Sequence, residues 1–247
     1  MRAPNLTKAI FFDAAGTLFT VNGSVGEIYA RLAREYEKDV AISDLEAGFR
    51  RCFADAPPMA FPGASPEQIV ILEKQWWRDI VRDVFAPLGS FPRFDEYFET
   101  LFSYFARIEA WKLYPETLTT LTALAERGIP LGVISNFDSR LLGLLDGFGL
   151  TRFFDPIVIS THAGAAKPEG AIFTQALARH GFRPEDTVHV GDSLHADIVG
   201  ARGVGMLPVL VDRKATTERM PDYVRINSLT ELLRVVVEPQ GLLSTCG

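Results

Sequence analysis

Two hydrophobic rhythms divide this chain. Ala9 to Phe12 is a short, unbroken apolar run stopped by turn residues, which predicts a buried strand. From Val25 to about Trp111 the apolar positions instead recur at helical spacing: Ile28, Leu32 and Tyr36; then Leu45, Phe49, Cys52 and Phe53; then Ile69, Leu72, Trp76, Ile80 and Val84. Pro57-Pro58, Pro62-Gly63 and Pro87-Leu88-Gly89 break those helices. The aromatics Trp76, Trp77, Phe94, Tyr97, Phe98, Phe102, Tyr104 and Phe105 crowd this stretch and read chiefly as the core of a helical bundle, a few being free to line a pocket.

After Pro115 the rhythm alternates. Helices are expected over Glu116 to Arg127, stopped by Gly128, over Arg140 to Phe148, from Pro168 to near Gly181, and over Ser193 to Gly203. Strands are expected at Ile129 to Ile134, Pro156 to Ile159, Thr187 to Val190 and Met206 to Val211. A weaker strand at Asp222 to Ile226 and a helix at Leu229 to Val237, capped by Asn227 or Ser228, follow, and the tail from Glu238 reads as frayed. Such alternation implies an α/β fold with a mainly parallel sheet covered on both faces. The first strand is separated from the second by far more than one crossover helix needs. The simplest organisation is a helical domain, residues 23–111, inserted into an α/β domain made of residues 1–22 and 112–247, lying over the carboxyl edge of the sheet.

Composition narrows the function. The chain has 247 residues and a formal net charge of -6 at pH 7. It has no Lys/Arg-rich run, so nucleic acid is not the expected partner, and an anionic substrate would need a local cation or metal. Cys52 and Cys246 suggest no disulfide framework. The start, Met1-Arg2-Ala3-Pro4-Asn5, leads straight into a strand without a signal-peptide apolar region, and no run approaches membrane-spanning length. A cytoplasmic protein, monomeric or homodimeric, with no membrane partner is the expectation.

The candidate chemistry sits at four predicted strand ends, where an open parallel sheet places its site. Asp13 ends the first strand ahead of Ala14, Ala15, a flexible Gly16 and the hydroxyl of Thr17. Alone it would more often be a turn residue. Ser135 and Asn136 end the second, as anion-binding donors or as helix caps, although Asp138 and Ser139 could do the capping. Lys167 stands just before a helix start, either a surface lysine or the cation an acidic protein needs at a phosphate site. Gly191-Asp192-Ser193-Leu194-His195-Ala196-Asp197 carries two acids one turn apart, either caps or, with Asp13, a hard oxygen set suited to Mg²⁺.

In this order and spacing the four stretches resemble the motifs of the haloacid dehalogenase superfamily, and the long helical segment resembles that superfamily's cap inserted between motifs one and two. The resemblance implies a Rossmann-like sheet with the first strand central, the second and third on one side and the fourth and fifth on the other. It implies that Asp13 is a nucleophile forming an aspartyl intermediate. It also implies that Thr17, Ser135 and Asn136 hold the transferring group, and that Lys167 neutralises charge. Mg²⁺ would be held by Asp13, the Ala15 backbone carbonyl and Asp192, with Asp197 supporting. A small phosphorylated metabolite is the implied substrate, and positioning plus charge stabilisation the implied means.

One position departs from the superfamily's phosphatases. Their acid/base Asp, two residues after the nucleophile, is Ala15 here. Losing such a group costs about 10²- to 10⁴-fold. Three readings follow: a weak or selective phosphatase, with His162 or Glu27 at the rim as substitute; a carbon–halogen or carbon–phosphorus hydrolase; or a degenerate member that binds or regulates. Haloacid dehalogenases and phosphonoacetaldehyde hydrolases use a cap arginine and a cap lysine respectively. No cap arginine can be placed, and Lys38 and Lys74 are no convincing match for the lysine.

Overall fold

The computed structural model describes residues 7–214 and 223–237. The expectations on the N-terminal pentapeptide, Cys246, Asp222 and the tail from Glu238 fall outside them.

The first strand, β1, spans Ala9–Phe12 and is buried along its whole length. Its side chains alternate between two cores, as the two-residue strand period demands. Ile10 and Phe12 join a cluster with Leu121, Leu124, Leu141, Leu144 and Leu145. Ala9 and Phe11 join one with Ile172, Phe173, Ala176 and Ala201. The first cluster packs α5 (Thr117–Glu126) and α6 (Arg140–Gly147) on one face. The second packs α8 (Gly170–Ala178) and α9 (Gly200–Gly203) on the other.

Six parallel strands form the sheet: β1, β4 (Leu131–Ser135), β5 (Phe154–Ile159), β6 (Thr187–Gly191), β7 (Leu207–Val211) and β8 (Val224–Ile226). Their order is β5-β4-β1-β6-β7-β8. The first strand is therefore central, with the expected order on each side and β8 as a sixth strand at the edge. β1 pairs with β4 through Phe12↔Val133 and with β6 through Phe12↔Val190. This is the point where the strand order reverses direction, and it opens a crevice at the carboxyl ends of three adjacent strands.

Two three-residue strands, too short for a periodic signal, were not anticipated. β2 (Phe19–Val21) and β3 (Trp111–Leu113) pair antiparallel, Val21 opposite Trp111. The chain leaves and returns there around four helices: α1 (Val25–Arg34), α2 (Ile42–Asp55), α3 (Pro66–Phe85) and α4 (Phe94–Tyr104). Ser24 with Glu27 and Ser65 with Gln68 form capping boxes that start α1 and α3. Ile28, Tyr29, Leu32, Leu45, Ile80, Val84, Tyr97 and Phe98 make these helices' own buried cluster.

Two periodic positions differ from expectation. Leu72 and Phe53 are 38% and 46% exposed, while Glu73 is buried. α3 turns Glu73 inward because Glu73 Oε1 accepts from Ser139 N–H (2.9 Å), Ser139 Oγ (2.8 Å) and Thr161 Oγ1 (2.6 Å), which offsets the cost of burying a carboxylate. α3 is thereby fastened to the loop after β4 and to α7 (Ser160–Ala163). The helix expected from Ser193 begins as a π-helical turn, Leu194–Val199, before α9. The C-terminal helix is a short 3₁₀ turn, Leu229–Glu231, capped by Ser228 and followed by a π-helical turn, Leu233–Val237. Among the described residues no helix is long and apolar enough to cross a membrane.

Candidate active site

Asp13 continues β1 beyond its last residue: its N–H donates to Val190 O at 2.8 Å, which fixes the backbone before the turn. Gly16 then takes φ 94°, open to glycine and strained for other residues. A Cβ there would lie 2.3 Å from Asp192 Oδ2, so the glycine also lets Asp192 lie against the loop. Gly191 does the same for Asp197, whose Cγ lies 2.1 Å from where a Gly191 Cβ would be.

Lys167 is the hub. Its buried Nζ donates to Asp13 Oδ1 (2.7 Å) and Asp197 Oδ1 (2.6 Å). Ser135 Oγ donates to the same Asp13 oxygen at 3.0 Å. Asp13, Asp192 and Asp197 each offer an oxygen within 4.8 Å of the others. Ala15 and Asp192 line the same cavity as Asp13, Ser135, Asn136, Lys167 and Asp197. Seven of the eight expected site residues are thus together.

Two of the eight sit differently from expectation. Thr17 is fully buried, is not on the cavity wall, and its Oγ1 has no hydrogen-bond partner among the described residues. Its carbonyl accepts from Arg213 Nη2 at 2.9 Å, so Thr17 ties the loop to the end of β7. Asn136 lines the cavity, but its amide spans Lys167: Nδ2 donates to Lys167 O (2.9 Å) and Oδ1 accepts from Lys167 N–H (2.7 Å). The side chain holds the lysine's backbone with one of its two N–H donors and one of its acceptor lone pairs.

One residue was missed. His189 in β6 is fully buried, lies edge-on to Phe173 at 5.1 Å, and pairs through Nε2 with Asp197 Oδ1 at 2.8 Å. An imidazole inside an apolar strand reads as core packing, and its partner eight residues away carries no local periodicity. Burial lowers its pKa, so the ring is neutral at pH 7 and Nε2–H is the donor to the carboxylate. Asp197 also accepts Ser193 N–H at 3.0 Å.

Three acids around one lysine leave an excess of negative charge. Burial pushes Asp13 above its ordinary value, with Lys167 opposing and Asp197 adding to the rise. Partial loss of water, and then the Asp13 and Asp197 charges, push Asp192 up to about 7. For Lys167, burial acts downward, but Asp13 and Asp197 hold it above its usual value. For Asp197, burial acts upward, and Lys167 and His189 hold it well below the carboxylate range. A crowded, oxygen-only donor set with uncompensated charge suits a hard divalent cation such as Mg²⁺.

The cavity above this cluster measures about 430 Å³, within the usual range for small-molecule sites. Its upper walls come from the inserted helices: Tyr29, Phe49, Phe53, Trp77, Phe98, Phe102 and Phe105, with Trp111 and Phe137 below. Its other cation, Arg140, has three of its guanidinium N–H groups engaged within the protein. Arg140 Nε and Nη2 bind Asp138 at 2.9 and 2.6 Å, and Nη1 donates to Phe102 O at 3.2 Å. Arg140 also starts α6 and so does not belong to the inserted helices. Lys38 donates to the carbonyls of Leu88 and Ser90, Lys74 pairs with Glu99, and neither lines the cavity. Glu27 and His162, expected at the rim, are also absent from the wall. Glu27 is spent on the α1 cap, accepting Ser24 N–H at 2.8 Å, and His162 bonds Ser139 at 2.8 Å.

A family model described as haloacid dehalogenase-like hydrolase matches residues 7–205. The chain is 34% identical over 237 residues to haloacid dehalogenase-like hydrolase domain-containing protein 3 of Danio rerio, covering 94% of this chain and 96% of the relative. It is 29% identical over 243 residues to glyceraldehyde 3-phosphate phosphatase of Methanothermobacter thermautotrophicus, covering 91% and 93%. A crystal structure of a phosphatase from Thermococcus onnurineus shares the fold at a TM-score of 0.65 and 24% identity, over 93% of this chain and 97% of that one.

Proposed function

The chain belongs to the haloacid dehalogenase-like hydrolase family, and from that premise we propose that it is a Mg²⁺-dependent phosphatase of a small phosphorylated metabolite. The carrying observation is Asp13 held by Ser135 and Lys167 within reach of Asp192 and Asp197 on a cavity floor. The likeness to a glyceraldehyde 3-phosphate phosphatase supports the reaction class. In this reading residues 23–111 are a cap domain over the core formed by 1–22 and 112–247.

The roles follow from the contacts. Asp13 Oδ1 is fixed by Ser135 and Lys167, which leaves Oδ2 as the attacking atom. The carboxylate attacks phosphorus and the ester oxygen leaves, giving an aspartyl-phosphate that water then hydrolyses. Lys167 faces the charge of the transferring group from a buried position. Asn136 fixes Lys167 from its backbone, and His189 with Ser193 fixes Asp197. Asp13, Asp192 and the Ala15 carbonyl would hold Mg²⁺, with Asp197 behind them; the ion supplies charge neutralisation at the phosphoryl oxygens. Ala15 offers no proton, so turnover is slow or restricted to good leaving groups. The pairing of Arg140 with Asp138, and the absence of Lys38 and Lys74 from the cavity wall, count against dehalogenase and phosphonate-hydrolase readings.

The test is orthophosphate release from a panel of phosphorylated metabolites and aryl phosphates, with Mg²⁺ and with chelator. Wild type should turn over at least one substrate only with Mg²⁺, and Asp13→Asn should lose at least about 10³-fold. Unchanged release by Asp13→Asn would defeat the assignment.

A further inference from the structure

The cavity wall and the missing acid point, independently, to one substrate class. We propose that the substrate is an aryl phosphate, with phosphorus bonded to a phenolic oxygen and the ring system held among the inserted helices; this rests on the phosphatase reading above.

The first observation is the wall. Phe49, Phe53, Trp77, Phe98, Phe102 and Phe105 surround the space above Asp13. Of the aromatic upper-wall residues only Tyr29 carries a hydroxyl, and the Arg140 guanidinium is engaged by Asp138 and Phe102 O, so most hydroxyl groups of a sugar phosphate would lose water there without gaining partners. That guanidinium lies 4.0 Å from the Phe102 centroid and 5.3 Å from that of Trp77, so it stiffens the aromatic wall. Phe53 is stacked on Phe49 at 5.4 Å and on Trp77 at 6.0 Å, which joins these rings into one aromatic wall.

The second observation is Ala15. With a methyl where a proton donor would stand, the leaving oxygen must depart as an anion. A phenol ionises near pH 10, as tyrosine does, far more readily than an aliphatic alcohol. In the first step Asp13 Oδ2 forms the bond to phosphorus as the phosphorus–oxygen bond to the ring breaks. The electron pair leaves on the phenolate, which takes its proton from solvent. In the second step water bonds to phosphorus as the bond from phosphorus to Asp13 Oδ2 breaks, restoring the carboxylate; orthophosphate keeps one of the water's protons and solvent takes the other, replacing the one given to the phenolate. No further reactant is needed.

The experiment compares kcat/KM of the full chain with Mg²⁺ on 1-naphthyl phosphate, ring-substituted phenyl phosphates, benzyl phosphate, glyceraldehyde 3-phosphate and acetyl phosphate. Naphthyl phosphate should exceed glyceraldehyde 3-phosphate by about 100-fold. Rates on phenyl phosphates should climb as the phenol becomes more acidic, and benzyl phosphate, which has the ring but leaves as an alkoxide, should trail them. By calorimetry, Asp13→Asn should bind phenyl phosphate at least tenfold tighter than glycerol 1-phosphate. A preference below tenfold in either measurement, or rates indifferent to phenol acidity, overturns the aryl assignment. If acetyl phosphate is still hydrolysed in that case, the phosphatase reading survives. Release of no phosphate from any substrate, acetyl phosphate included, overturns both.

Discussion

Replacing Lys167 by Met removes one cation from between two carboxylates. The Lys167 side chain is 2% exposed, and those of Asp13 and Asp197 are 10% and 1%. Solvent therefore screens little of the pairing, and the surviving carboxylates are left close together without their cation. Breaking a buried pair by deleting one partner costs about 3–5 kcal/mol. At this chain length that is roughly a 6–20 °C fall in Tm, at about 2–4 °C per kcal/mol. The assay is equilibrium unfolding in denaturant near pH 7.5 with divalent ions chelated, so that no metal replaces the lost ammonium. A second substitution sharpens the test. Asp13→Asn in the Lys167→Met background removes one unpaired charge while its amide oxygen still accepts from Ser135 Oγ, and should restore about 1 kcal/mol or more. A loss below about 1 kcal/mol in the single variant, or a further loss in the double variant, would refute the view that charge balance around Lys167 governs this site.

Two further predictions concern its supports. Gly191→Ala should cost about 1–3 kcal/mol and lower phosphate release more than tenfold, because the new Cβ displaces Asp197; Gly143→Ala, in α6 with open space around it, should stabilise by about 0.5–1 kcal/mol and leave release intact. Burial depresses His189, so the unfolded chain binds its proton first: its stabilising contribution is complete above about pH 6.5 and falls away as pH drops below that. Asp192, raised to about 7, titrates nearby with the opposite sign, so the quantity to follow is the difference in unfolding free energy between wild type and His189→Gln from pH 7 to 5; a difference independent of pH would contradict a neutral buried imidazole.

Much was legible along the chain because its causes are local. An apolar run ending at Asp13 is a buried strand whatever surrounds it, and β1 begins and ends where that run does. Alternating strands and helices imply a parallel sheet, and a parallel sheet gathers its strand ends at one edge, so the motif residues fall into one crevice. Tertiary structure decided what depends on partners distant in sequence. Glu73 faces inward, against the helical period of its neighbours, because Ser139 and Thr161 are there to satisfy it. Asn136 spends its amide on Lys167, 31 residues away, and His189 becomes a support for Asp197. Among many aromatics with one shared periodicity, those on the cavity wall are chosen by how the inserted helices lie over the sheet. Periodicity reports which face of an element is apolar; which groups meet across elements is set by the packing that brings those faces together.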